Sequence, residues 1–144
     1  MRAPLRVRFE KLQRLIERIS YEAQLGRIII VEGAKDRDSL RRMGVAGTIL
    51  CLKSSRHNIT SFVDELDGEK EVIVLTDFDR EGVFLAKRLS RILNSLSIHA
   101  NLLLWSELRG LTRSDLRSIE ELPALYERLH SELLFHRSSS ETRR

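Results

Sequence analysis

The sequence predicts a Rossmann-like α/β fold, with a mainly parallel sheet of about four strands, flanking helices and helical extensions at both ends. Three observations carry that expectation. Residues 28–31 and 72–75 are apolar at every position, as in strands buried on both faces. The segments between such runs place apolar residues at helical spacing. Strand and helix then alternate, and right-handed crossovers turn that alternation into a parallel sheet covered by helices.

The elements follow in order. Phe9, Leu12, Leu15, Ile16 and Ile19 recur at helical spacing, with Arg6, Arg8, Lys11, Arg14 and Arg18 largely between them, so residues 1–26 read as a basic amphipathic helix stopped by Gly26. Such a helix could touch a phosphate backbone, pair two copies of the chain, or cover the core. Residues 27–31 read as the first strand, and a charged helix follows over about 35–43. Residues 48–52 read as the second strand, 53–58 as a polar loop and 59–66 as a helix. Asp67-Gly68 signals a turn. Residues 71–75 form the third expected strand, and 81–96 a long helix with Leu85, Leu89, Ile92 and Leu96 on one face. Residues 98–105 read as the fourth strand, closing a core of 27–106. A helical extension over 107–136 contains a capping-box spacing at Ser118-Ile-Glu-Glu121, with Pro123 tolerated in a first turn. The Ser/Arg-rich residues 137–144 are expected to fray.

Composition narrows the function classes. The 144 residues can bury a core without staples. A single cysteine, Cys51, excludes an intrachain disulfide and any cysteine-clustered zinc site. No apolar run approaches the roughly 20 residues of a membrane span, and the basic start lacks the apolar stretch of a secretory signal. A soluble, cytoplasmic protein without a membrane partner is expected. Lys and Arg number 25 against 21 Asp and Glu, a net charge of +4. Twenty of those cations are arginines, which suit planar, bidentate contact with phosphate.

The chemistry concentrates at two strand ends. The first reads Val31-Glu32-Gly33-Ala34-Lys35-Asp36, the third Thr76-Asp77-Phe78-Asp79-Arg80-Glu81-Gly82. Ligands of open α/β sheets sit at the carboxyl ends of strands. If the two strands are neighbours, Glu32 faces Asp77, Asp79 and Glu81 across one crevice. Carboxylates on rigid strand tips suit Mg²⁺ or Mn²⁺, and clustered acids repel unless a cation neutralises them. Gly33 and Gly82 leave room for close approach by a ligand or metal. Lys35 and Arg80, with Arg56 in the polar loop, are placed to meet phosphate charge. A single acid after a strand is commonly just a helix N-cap, and Asp77 or Asp79 could be that. Four acids at two strand ends are harder to explain so.

Glu32-Gly33, followed 45 residues later by Asp77-Phe78-Asp79-Arg80-Glu81-Gly82, resembles the Toprim domain. That domain is shared by topoisomerases, bacterial primases, OLD-family nucleases, RecR and ribonuclease M5. The resemblance spans about residues 27–105. It implies that Glu32 is a general acid/base or metal ligand, that Asp77 and Asp79 are the metal-binding pair, and that Glu81 is a third acid. The chain lacks the cysteines of primase and RecR zinc modules, and Tyr21 and Tyr126 sit in helical contexts rather than as a topoisomerase nucleophile. What remains resembles the small stand-alone Toprim proteins, chiefly archaeal, and the ribonuclease M5 group. The implied function is an Mg²⁺- or Mn²⁺-dependent nuclease acting on nucleic acid, RNA foremost, with a homodimer possible. The alternative is a Toprim module that binds nucleic acid, or docks in a processing complex, without turnover.

Haloacid-dehalogenase-like phosphatases also open on Asp-x-Asp, but here the only later lysine, Lys87, lies within a helix and the fourth strand ends without acids. Cys51, Phe78 and Trp105 read as packing residues. His57, Arg109 and Arg113 read as solvated.

Overall fold

The computed structural model describes residues 3–54 and 59–142. Arg56 and His57 lie outside the described residues.

The chain runs α1 (Leu5–Gln24), β1 (Ile28–Val31), α2 (Ala34–Arg42), β2 (Ile49–Cys51), α3 (Ile59–Asp64), β3 (Glu71–Val74), α4 (Arg80–Ser95), β4 (His99–Asn101), α5 (Leu103–Thr112) and α6 (Leu122–Thr142), with 3₁₀ turns at Leu52–Ser54 and Ile119–Glu121. Four strands form one sheet in the order β2-β1-β3-β4, every pair parallel. Register is fixed by Ile29 opposite Ile49 and Ile73. Ile29, Ile30, Val72, Ile73 and Val74 are fully buried, because β1 and β3 are central and covered on both faces. The chain leaves β1 toward one edge and returns to β3 on the other side. The gap between β1 and β3 is therefore the topological switch point, where crevices open in such sheets.

The N-terminal helix covers the core. Its apolar face buries Phe9, Leu12, Leu15, Ile16, Ile19 and Ala23, and it packs against α5 and α6. Phe9 stacks on His130 at 5.3 Å and lies 5.1 Å from Tyr126. Arg8, expected on the polar face, is buried instead. Its guanidinium pairs with the buried Asp115, which Arg128 also holds at 2.9 Å. A charge can leave solvent in this way only because its partner is supplied at the same place.

Two element boundaries differ from the sequence expectation. The fourth strand ends at Asn101, and residues 103–105, expected in that strand, begin α5. Asn101 Oδ1 accepts the Leu103 N–H at 2.9 Å, and Leu104, Trp105, Leu108 and Thr112 are buried at helical spacing. A short apolar run such as 102–105 carries no period of its own, so the positions after it decide. The second difference is at the end, where the backbone of α6 stays helical to Thr142 in place of a frayed stretch from 137. Extending an existing helix adds a hydrogen bond for each residue ordered. No helix among the described residues is long and apolar enough to cross a membrane.

Candidate active site

The site is assembled at the switch point. Glu32 follows the last residue of β1, and Asp77 lies three residues beyond the end of β3. Glu32 is buried, 3% exposed, and its Oε2 accepts the Asp77 backbone N–H at 2.7 Å. The Glu32 carbonyl accepts the Lys53 N–H at 2.8 Å. Asp77 is held in turn by the Ile119 N–H, which donates to Asp77 Oδ1 at 3.0 Å across 42 residues of chain. The two leading acids thus meet, each fixed by a backbone donor.

The loop between Asp77 and α4 is tight. Asp79 caps α4, its Oδ1 accepting the Gly82 N–H at 2.7 Å. Thr76 Oγ1 donates to the Gly82 carbonyl at 2.8 Å. Trp105 Nε1 donates to the Thr76 carbonyl at 2.8 Å, and the Phe78 and Trp105 rings lie 6.1 Å apart, so both aromatics pack the floor of the site. A β-carbon at Gly82 would stand 1.9 Å from the Asp77 carbonyl oxygen. The close approach expected at Gly82 is therefore made by the chain's own backbone.

A third acid, which sequence reasoning passed over, joins the pair. Asp36 is 5% exposed, and its Oδ2 accepts the Gly33 N–H at 3.0 Å in the first turn of α2. In sequence it looked like an ordinary acid near a helix start. Burial, then the charge of Asp77, raises its carboxyl to about 6. Glu32 rises further, to about 7, first through burial and then through a side-chain hydrogen bond with Asp77. The charge of Lys53 works in the opposite direction on Glu32.

The other expected site residues are arranged differently. Asp79 is exposed and engaged as a cap, and Glu81 is exposed on the first turn of α4. Lys35 is exposed and lines a separate cleft with Asp38, Arg42 and Glu120. Arg80 opens onto a cleft beside Asp79. Among the described residues, no group of three or more His, Cys, Asp or Glu side chains is arranged to hold a metal ion. The Glu32–Asp77 pair still fits a hard divalent cation. Such ions often take one or two carboxylates and complete their shell with water and substrate oxygens. The carboxyls are raised by burial first and by the neighbouring Asp77 second, and a cation would favour their charged forms.

The same burial sets a pH dependence. Both carboxyls have folded values above their unfolded ones of 4.5 and 3.8, so the fold favours their protonated forms. Their contribution to stability is complete below the unfolded values and is lost as pH rises through about 6 for Asp36 and about 7 for Glu32. In EDTA, urea-unfolding stability is expected to fall by roughly 3 kcal/mol on account of Glu32 as pH climbs from 4.5 to 7.5. Glu32→Gln should flatten most of that slope. A native curve that stays level would contradict it.

A four-stranded, all-parallel sheet with acids on both sides of its switch point is the core of a known class. The chain belongs to the Toprim-domain family, whose model matches residues 27–103. Relatives similar to it include three archaeal proteins named UPF0292. That of Thermoplasma volcanium is 42% identical over 101 residues, 69% of this chain and 82% of that protein. The Thermococcus kodakarensis protein is 36% identical, covering 85% of this chain and 90% of its own. For Methanocaldococcus jannaschii the figures are 40%, 79% and 88%. A solved structure of a protein from Aquifex aeolicus shares the fold, with a TM-score of 0.62 and 23% identity over 75% of this chain and 94% of that one. Toprim domains generally bind divalent metals, and membership links this chain to metal-dependent chemistry on nucleic acids.

Proposed function

We infer that the protein is a divalent-metal-dependent phosphodiesterase, a nuclease acting on RNA. The observation that supports this above all is the Glu32–Asp77 juxtaposition across the switch point, with Asp77 N–H on Glu32 Oε2 at 2.7 Å. Glu32 and Asp77 would hold Mg²⁺ or Mn²⁺, and the motif resemblance adds Asp79 and Glu81 on the adjoining loop and first turn of α4. A bound ion would neutralise phosphate charge and ease ionisation of the attacking water. In hydrolysis the water oxygen bonds to phosphorus, the bond to the leaving strand oxygen breaks, and one proton moves from water to that oxygen. Glu32, buried beside Asp77, is the group placed to take that proton. The Ile119 N–H keeps the Asp77 carboxylate oriented. Lys53, whose charge acts on Glu32, and Arg80, in the cleft beside Asp79, would supply positive charge for the substrate backbone. The motif resemblance to ribonuclease M5 favours RNA processing as the setting.

The test is cleavage of an end-labelled, structured RNA by the native protein with Mg²⁺, with Mn²⁺ or with EDTA. Cleavage with either metal and none in EDTA is the expected result. Equal cleavage in all three would reject the reading.

A second reading is a Toprim module that binds nucleic acid without turnover. It is favoured by the lack of a three-carboxylate metal group among the described residues. It expects binding that survives EDTA and Asp77→Asn, with no cleavage in any condition.

A further inference from the structure

Beside Asp79 lies a half-enclosed cleft of about 280 Å³ lined by Phe78, Asp79, Arg80, Arg109, Arg113, Leu116 and Arg117. Four arginines and one aspartate leave its wall with a net charge of +3. Arg80 comes from the family-matched segment, but Arg109, Arg113 and Arg117 lie beyond its end at residue 103. The C-terminal extension therefore contributes three of the four cations.

The backbone behind this wall is held in place. Phe78 N–H donates to the Arg117 carbonyl at 2.7 Å, tying the extension to the loop that carries Asp77 and Asp79. Glu121 Oε2 accepts the Arg117 N–H at 2.8 Å and the Ser118 N–H at 3.1 Å. The Arg109 guanidinium lies 5.5 Å from the centre of the Trp105 ring. Like charges brought together this way repel unless an anion answers them. Two neighbouring acids are engaged elsewhere. Asp115, between Arg113 and Arg117, pairs with Arg8 and Arg128. Asp79 caps α4. None of the four lining guanidiniums makes an ion pair among the described residues. The cleft thus gathers four arginines without a carboxylate partner among the described residues, beside the loop that carries Asp77.

We propose that the cleft binds a phosphate monoester, the terminal phosphate of a nucleic-acid strand. The proposal rests on the nucleic-acid reading above and adds that the protein recognises a strand end. The charge supports a monoester over an internal linkage. A backbone phosphodiester carries one negative charge, whereas a monoester carries about −1.5 to −2 at pH 7. A concave wall of four guanidiniums with a net charge of +3 suits the denser anion, and arginine forks suit its three free oxygens. A 5′ or a 3′ end offers the same group.

The experiment is equilibrium binding in EDTA, which suspends metal-dependent turnover. Three ten-nucleotide RNAs of one sequence, internally labelled, carry a 5′ phosphate, a 3′ phosphate or hydroxyls at both ends. The native protein is expected to bind one phosphorylated form at least about tenfold more tightly than the hydroxyl form, the worth of one charged hydrogen bond. The variant Arg113→Gln/Arg117→Gln should bind all three within about twofold of one another. Both side chains are exposed, and an unchanged thermal midpoint would show that the fold is kept. The single Arg113→Gln variant should lose part of the preference. Equal native affinity for all three RNAs, or a preference that survives both substitutions, overturns the proposal. Because no metal is present, that outcome leaves the cleavage assay untouched, and loss of cleavage alone leaves the binding preference standing.

Discussion

Asp77→Asn and Glu32→Gln are each expected to slow metal-dependent RNA cleavage by about 10²- to 10³-fold while the fold stays intact. The geometry separates chemistry from stability. Asn at 77 keeps an oxygen to accept the Ile119 N–H, and Gln at 32 keeps one to accept the Asp77 N–H. Both amides also remove a charge from a crowded acidic site, so unfolding midpoints at pH 7.5 in EDTA should hold or rise. What each loses is the anionic oxygen that would meet a cation, and at position 32 also a group able to take a proton. Single-turnover cleavage rates beside urea midpoints would check this. A variant that cleaves at the native rate would show that its carboxylate does no chemistry.

Gly82→Ala is expected to cost about 3 kcal/mol or more of stability and to abolish cleavage with it. The added β-carbon would lie 1.9 Å from the Asp77 carbonyl oxygen, 2.5 Å from its carbon and 3.0 Å from its Cα. These are backbone atoms, so no side chain can rotate away. Relief requires α4 to withdraw from the loop, which strains the Asp79 cap and the Thr76–Gly82 hydrogen bond. Against a typical domain stability of about 5–15 kcal/mol, such a loss is large. Gly33→Ala is the natural comparison. Its β-carbon would meet only Asp36 Oδ2, at 3.9 Å, so it should be far milder. Urea unfolding of the two variants side by side gives the contrast, and similar midpoints would contradict the close approach at Gly82.

The sheet and the leading acid pair were legible in the sequence for one reason. Buried parallel strands are apolar throughout, so the polar residue that ends each run stands out, and Glu32 and Asp77 are near such ends. The pairing of β1 with β3 then brings them together. Asp36 was not legible, because an acid in the first turn of a helix is what an exposed N-terminus also favours, and only packing tells the buried case apart. Asp79 had two readings in sequence, and the Gly82 N–H makes it the cap of α4. Gly82 was legible as a place needing room, though not for what: sequence shows an absent side chain, not the atom that fills the space. The 102–105 run misled because strand and helix both accept four apolar residues, and burial at Leu104, Leu108 and Thr112, four residues apart, resolves it. Arg8 illustrates the converse. It sits among solvated arginines in sequence, and its partner is 107 residues away.

The Ile119 N–H bond to Asp77 has a consequence for modularity. Part of what holds the acidic pair is a main-chain amide, which no substitution at 119 short of proline can delete and which sequence similarity does not record. It belongs to a segment outside the recognisable family boundary, so core and cap have to be inherited together. A chimaera joining this sheet to another relative's C-terminal helices would preserve every signature acid and still leave the aspartate's aim to chance.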